Sequence, residues 1–247
     1  MPHSHNADAA ARVIAAAVRS KTRLTALDAG VRPATLDEGY DIQDALIAEL
    51  ADPVTGWKLG QGSPKGLRSA GLERALVGRV TASRCHAANS TIMLAVAAPV
   101  TVEIEIAFRL ACDIAPSGPL PRPRDVIAGA CLAAEIILSR FVDRKAVGLP
   151  SYLAENVGFE ALVIGQPVEI ADLHEIMSTV VVDLDGKRIA DAQTGEDAID
   201  PFRAVEHLIA HVRVRSGARQ RGKGRSHPRR SGRRRSACRR DRPPPST

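Results

Sequence analysis

The clearest alternation of apolar and polar positions lies between Val100 and Leu110, where every second residue is apolar. The residues between them include Glu103 and Glu105. A period of two predicts a β-strand that projects both carboxylates from one face, with side-chain bases roughly 7 Å apart. Two like charges this close repel, so we expect a cation beside them. Two interpretations stay open: half of a hard-cation site, or a solvated strand face.

A second apolar run extends from Val126 to Leu138 and contains one charged residue, Glu135. We interpret this run as a helix that Asp125 caps at its N-terminus. An isolated buried carboxylate is costly, so Glu135 should be paired, protonated or bound to a metal. Alternatively, Glu135 lies on the solvent edge of the helix or pairs with Arg140, and periodicity does not separate these cases.

Three further helices are predicted. Residues 7–21 are alanine-rich with an apolar face. A second helix begins at Thr35, because Thr35 and Glu38 have the capping-box spacing. A third opens at Asp200-Pro201, with Asp at the N-cap and Pro at the first helical position. Two histidines one turn apart on this helix could bind a metal, but without a third ligand we interpret them as surface or partly buried residues: His207 and His211.

Strands are predicted at 161–165 and 178–184, and the Asp185-Gly186 pair after the second is a strong hairpin turn. Residues 55–64 form a short strand that runs into a glycine loop. Lys58 in this strand faces away from its neighbours, and by itself it is most simply a surface lysine. The loop lacks both the dinucleotide and the Walker pattern, although three of its residues could give room and donors beside a ligand: Gly60, Gly62 and Ser63.

Three segments, in this order, resemble the 2-keto-4-pentenoate hydratase branch of the fumarylacetoacetate hydrolase superfamily, which also contains 4-oxalocrotonate decarboxylases. They are Gly56–Gly60, Val102–Phe108 and Ala134–Arg140. They supply a lysine, a Glu-x-Glu strand and a glutamate thirty residues further on. The resemblance covers approximately residues 10–212. It implies an α+β fold in which N-terminal helices accompany a mixed, curled β-sheet core.

The resemblance also implies a site. Its metal ligands would be Glu103, Glu105 and Glu135, holding Mg²⁺ or Mn²⁺, the ions that oxygen-only ligands favour over zinc. Lys58 would be the catalytic residue. The substrate-binding residues would be Gly60, Ser63 and Asn156. We also expect a cytoplasmic homo-oligomer, with a partner decarboxylase or hydratase as a further option.

The chain departs from the family pattern at two positions. Leu76 stands where the hydratases carry an acid shortly before a glycine, so any proton relay through that acid is lost. Glu155 stands where the family commonly has aspartate before Asn156, and it either supports the site or lies exposed. The second carboxylate-binding group that would separate decarboxylase from hydratase has two candidates, Lys65 and Arg68.

The net charge of +6 is unevenly distributed. Residues 213–247 hold 14 Lys and Arg against one acid, so residues 1–212 are acidic. The basic segment lacks interleaved aromatic residues, which makes nucleic-acid recognition a weak hypothesis. No apolar run is long enough to cross a membrane, and no secretory signal is evident. The four cysteines are widely scattered, which favours free thiols.

We therefore divide the chain into an N-terminal helical region (1–55), a catalytic β-core (56–212) and a basic disordered tail (213–247). The Arg/Gly/Ser/Pro composition after residue 214 suggests a frameshifted or replaced C-terminus that leaves the fold incomplete. The leading hypothesis is a metal-dependent hydratase of a 2-hydroxy-2,4-dienoate from aromatic meta-cleavage. The alternatives are a 4-oxalocrotonate-type decarboxylase and a truncated, inactive paralogue.

Overall fold

The computed structural model describes residues 4–94, 96–115 and 117–222 of the 247-residue chain. The helices are α1 (Ser4–Ser20), α2 (Leu36–Leu50), α3 (Pro64–Ala70), α4 (Gly148–Ala154), α5 (Leu173–Thr179) and α6 (Pro201–Gly222). The strands are β1 (Val54–Gly60), β2 (Leu76–Thr81), β3 (Cys85–Ala87), β4 (Thr101–Leu110), β5 (Ile127–Ile137), β6 (Phe159–Val168), β7 (Val181–Leu184) and β8 (Lys187–Asp191). None of the helices in these ranges is long and apolar enough to cross a bilayer.

The central sheet has four strands in the order β3-β6-β5-β4. β5 is antiparallel to both of its neighbours, and β3 is parallel to β6. A separate antiparallel pair, β1-β2, lies beside the sheet, and β7-β8 forms a hairpin. Helices α1 and α2 share a buried core with Phe141 and Ala154. The predicted α+β fold with N-terminal helices and a mixed sheet is confirmed.

The helix predicted over Val126–Leu138 is wrong, because Ile127–Ile137 is strand β5. β5 is hydrogen-bonded on both edges and largely covered on both faces, so it needs apolar residues at nearly every position. Such a strand and a buried helix have the same apolar pattern. Asp125 is therefore no helix cap: it lies in a 3₁₀ turn and accepts two hydrogen bonds of 3.0 Å from the side chain of Arg122.

Several local predictions are confirmed. Thr35 and Glu38 form the capping box of α2. Asp200 Oδ1 accepts backbone N–H groups at the start of α6. Asp185 and Gly186 have φ angles of +52° and +75° in the β7-β8 turn. Gln43 on α2 is buried, and its amide donates to two backbone carbonyls.

Both boundaries of the predicted domain division fall inside elements, one in β1 and one in α6. Helix α6 continues through residues 213–222, and the remainder of the predicted tail lies outside the described residues. Cys85 and Cys131 are free thiols, as predicted. Cys112 is disulfide-bonded, which departs from that prediction, and Cys238 lies outside the described residues.

Candidate metal and substrate site

The register of the central sheet brings the three predicted glutamates together. β4 pairs with β5 so that Glu103 lies opposite Glu135 and Glu105 lies opposite Ala133. Directly opposed residues share a face of the sheet. One carboxylate oxygen from each glutamate lies within 4.8 Å of the others. A spacing of 30 residues along the chain thus becomes one three-carboxylate cluster across two strands.

The cluster is electrostatically unfavourable without a cation. Burial, together with the charges of Glu135 and Glu103, raises the pKa of Glu105 to about 8, although Lys58 partly opposes this. Burial also raises the pKa of Glu135, again against the opposing effect of Lys58. A divalent ion would remove the repulsion that produces these shifts, because it favours the charged form of all three carboxylates.

The donor set fits Mg²⁺ or Mn²⁺. All three ligands are carboxylate oxygens, which hard divalent cations prefer. Glu135 is 1% exposed, Lys58 Nζ lies 2.9 Å from its Oε1, and its Oε2 has no hydrogen-bond partner among the described residues. Buried carboxylate oxygens normally have such partners, so an ion is the natural partner here. Glu103 is exposed, which leaves the cluster open to solvent on its side.

Lys58 is buried beside this cluster, which is far from the surface position that its pattern alone suggested. Its Nζ lies 2.9 Å from Glu135 Oε1 and donates to the carbonyl of Val157 at 3.1 Å. The lysine stem lies flat over Gly78, its cross-strand partner on β2. A β-carbon at Gly78 would come within 2.9 Å of the lysine Cγ and Cδ.

The carbonyl that holds Lys58 belongs to an unusual turn. Asn156, Val157 and Gly158 all have positive φ, at +69°, +56° and +68°. This conformation is unfavourable for a β-branched residue such as Val157. The amide of Asn156 secures the turn, because it accepts from the N–H of Arg79 at 2.6 Å and donates to its carbonyl at 2.8 Å. Asn156 was predicted to bind substrate, and this geometry supports a role in holding the turn.

The two other predicted substrate-binding residues lie on the β1-α3 connection. A β-carbon at Gly60 would meet Val157 Cγ1 at 3.1 Å, so Gly60 lets β1 approach the turn. The hydroxyl of Ser63 accepts from Gly66 N–H at 3.0 Å and caps α3. The candidates for a second carboxylate-binding group are exposed and paired, with Lys65 on Asp197 and Arg68 on Glu196.

A second buried network lies behind the turn. Glu155 is 4% exposed and accepts hydrogen bonds from the Ser139 hydroxyl and the Arg140 backbone N–H. Burial raises the pKa of Glu155 to about 8. The side chain of Arg140 pairs with Glu160, so the alternative in which Arg140 neutralises Glu135 does not occur. The option in which Glu155 lies exposed is therefore wrong.

Leu76 is 1% exposed and packs in an apolar cluster with Leu153 and Val157. The position that the family pattern would give to an acid is therefore part of the core. Two residues that sequence reasoning missed lie nearby: Tyr152 on α4 and Arg144 in the loop before it. No spacing or periodicity identifies them, because they meet only after β5, the loop and α4 have packed.

Comparison with known proteins bears on the fold. No protein-family model matches the chain, and no curated protein matches it. Among solved structures, the chain is similar to 4-oxalocrotonate decarboxylase from Pseudomonas putida G7 complexed with calcium and acetate, at 17% identity and a TM-score of 0.67. A second structure of that enzyme, complexed with magnesium and adipate, gives 18% identity and a TM-score of 0.64. Each similarity covers 87% of this chain and 82% of that chain.

The chain has the fold of that decarboxylase. The fold implied by the sequence resemblance, that of the fumarylacetoacetate hydrolase superfamily, is thereby confirmed.

Proposed function

We propose that this protein is a divalent-metal-dependent lyase that acts on a short unsaturated 2-oxo acid or its 2-hydroxy-dienoate form, and that it adds water to a 2-hydroxy-2,4-dienoate. The observation that carries the proposal is the convergence of three carboxylates, one of them buried and paired with a buried lysine. The proposal includes a homo-oligomeric assembly, which follows from the family resemblance.

Glu103, Glu105 and Glu135 would hold the ion. When bound, Mg²⁺ or Mn²⁺ would polarise the carboxylate and 2-oxygen of the substrate and stabilise enolate charge. Lys58 would orient the substrate carboxylate or transfer a proton. Its amino group is fixed for this role by Glu135 and the Val157 carbonyl, and a fixed donor requires little reorganisation during the reaction.

Decarboxylation of a 2-oxo-3-enedioate is the second candidate, and the similarity to solved decarboxylase structures favours it. The C5–C6 bond would break, carbon dioxide would leave, and the electron pair would pass through the conjugated system to the 2-oxygen. One proton is then taken up. The same three glutamates and Lys58 would serve this reaction, since both reactions develop negative charge on the 2-oxygen.

The test is a Mn²⁺ titration of three proteins: the wild type, Glu105→Ala and the exposed control Glu73→Ala. In the same samples, ultraviolet absorbance follows the consumption of 2-hydroxypenta-2,4-dienoate and of 2-oxohex-3-enedioate. We expect the wild type and the control to bind one ion and consume at least one substrate. Glu105→Ala should lose at least about tenfold in affinity, because it removes one of three ligands. Ion binding without turnover would support the inactive paralogue, and a wild type that binds no ion would refute the proposal.

A further inference from the structure

Arg144 is an exposed arginine in the loop between β5 and α4. Asp143 Oδ1 accepts the backbone N–H groups of Lys145 and Ala146 at 2.9 and 3.1 Å, which fixes the turn that carries Arg144. Arg144 Nη1 donates to the Tyr152 hydroxyl at 3.4 Å, and its Cζ lies 5.4 Å from the centroid of that ring. Within the described part of the chain, no carboxylate forms an ion pair with this guanidinium.

Tyr152 connects Arg144 to the wall of the three-glutamate cluster. The ring is 7% exposed. A β-carbon at Gly158 would lie 3.2 Å from the tyrosine hydroxyl and 2.9 Å from Ile137 Cγ2. Ile137 follows Glu135 by two residues on β5, and Gly158 directly follows Val157, whose carbonyl holds Lys58. The tyrosine hydroxyl therefore lies beside Gly158, the residue that follows the carbonyl binding Lys58, and Arg144 donates to the same hydroxyl.

Electrostatics agree with this placement. Burial is the largest cause that raises the pKa of Tyr152. Arg144 lowers it, whereas the charges of Glu155, Glu103 and Glu135 raise it further. The charges of two proposed metal ligands and of Arg144 thus all affect the pKa of the same tyrosine hydroxyl.

We propose that Arg144, positioned by Tyr152, binds the second carboxylate of a short dicarboxylic 2-oxo acid whose first carboxylate and 2-oxygen lie at the three-glutamate cluster. The inference rests on the metal site of the proposed function and on its second candidate reaction, and it names a residue that would bind the dicarboxylate substrate of that reaction. A guanidinium suits this task because its planar donors match the two oxygens of a carboxylate. A dicarboxylate substrate favours the decarboxylase candidate, since a 2-hydroxypenta-2,4-dienoate has no second carboxylate for Arg144.

The other cations near this region are less suitable. Lys65 and Arg68 are engaged in surface ion pairs. Arg109 lies near the far end of β4, where its Nη2 approaches the carbonyl of Ala128 at 3.5 Å. Lys145 is exposed beside Arg144, and it provides a matched control because it has the same charge one residue away.

The experiment is calorimetric titration of Mg²⁺-loaded protein with adipate and with hexanoate, a monocarboxylate of the same carbon number. The wild type should bind adipate at least about tenfold more tightly, and Arg144→Gln should lose most of that preference. Lys145→Gln should keep it, and Arg144→Lys should restore part of it. With the enedioate as substrate, Arg144→Gln should raise KM more than it lowers kcat, because the contact is already present in the ground state.

Two outcomes separate the inference from the proposed function. If the wild type binds Mg²⁺ but does not prefer adipate, or if Arg144→Gln behaves like Lys145→Gln, the inference is overturned and the metal site stands. If the wild type binds no Mg²⁺, the proposed function and the inference both fail. We expect equal Mg²⁺ affinity in all variants, because Arg144 and Lys145 are exposed and neither contacts one of the three glutamates proposed to bind the metal.

Discussion

At the residue scale, the decisive side chain is Glu135. It is buried in the central strand of the sheet, contacts Lys58 and lies near two further carboxylates. A single lysine cannot neutralise three glutamates. The metal-free protein therefore keeps protons on this cluster near neutral pH, as the raised pKa values of Glu105 and Glu135 indicate. Metal binding and proton release are then coupled, because a ligating carboxylate must be ionised.

Mn²⁺ affinity should consequently rise between pH 6 and pH 8 and level off above it, by up to about tenfold per pH unit if one proton is released. The pKa of Glu105 is raised to about 8, so its contribution to stability is present below its ordinary pKa and is lost as pH rises through 8. Calorimetric titrations at pH 6, 7 and 8, in two buffers of different ionisation enthalpy, measure affinity and proton release together. Constant affinity without proton release would contradict this prediction.

At the element scale, the β1-β2 pair positions the side chain of Lys58. Lys58 and Gly78 are directly opposed, and the absence of a side chain at Gly78 leaves the space in which the lysine stem lies. The turn after α4 supplies the carbonyl that orients the amino group. Three elements thus determine the position of one nitrogen atom, and two of them, β1 and the turn, carry residues that were predicted to take part in the site.

Gly78→Ala should displace Lys58, because the new β-carbon would meet the lysine stem at 2.9 Å. We expect turnover to fall by about 10- to 100-fold, since small misplacements of a reacting group are costly, while Mn²⁺ affinity changes little. The control is Gly56→Ala in the same strand pair, where the nearest atom would be Val80 Cβ at 3.7 Å, an ordinary contact. Activity assays and Mn²⁺ titrations compare the two variants. Equal activities would contradict the prediction that Gly78 is needed to position Lys58.

An element could be predicted correctly from the sequence when the residues that specify it lie close together along the chain. The α2 capping box and the Asp185-Gly186 turn are encoded within a few residues, and both were predicted correctly. The strand β5 was taken for a helix, because its apolar run satisfies either structure until its two neighbours are known. Glu103 and Glu105 could be placed on one face from periodicity alone, but periodicity could not place Glu135 beside them.

At the scale of the whole molecule, α6 joins the C-terminal part of the described chain to the N-terminal helices. His211 packs against the ring of Tyr40 at 4.7 Å between centroids. Arg215 pairs with Asp41 and Asp44 of α2, at 2.7 and 2.8 Å. His207 Nδ1 accepts the N–H of Ala75. Both histidines are thus core residues, and the division of the chain into separate regions remains a prediction.

Stability should fall in mild acid because of His211. Burial, followed by the charges of Arg79 and Arg215, lowers its pKa to about 4, although Asp44 opposes this. The unfolded chain therefore binds the proton first. Stability is complete above the ordinary histidine pKa and decreases as pH falls from 6.5 to 4, by a total of about 3 kcal/mol.

His211→Phe keeps a ring against Tyr40 without a titrating group, so it should flatten the pH dependence over this range. Urea unfolding at pH 4.5, 5.5 and 7.5 measures the effect. His174→Phe is the matched control, because that side chain lies in solvent on α5. If the two variants show the same pH dependence, burial of His211 is not its cause.

Features that lie within one element could be read from the amino-acid sequence: the alternating strand with its two carboxylates, the caps, the hairpin turn and the amphipathic helices. These depend on backbone geometry over a few residues. The resemblance named Glu135 as the third ligand, but packing was needed to show that β5 is a strand, that Glu135 lies opposite Glu103, that Lys58 is buried and that Arg144 contacts Tyr152. Each of these depends on contacts between segments distant along the chain, and the free energy of such contacts is absent from any local pattern.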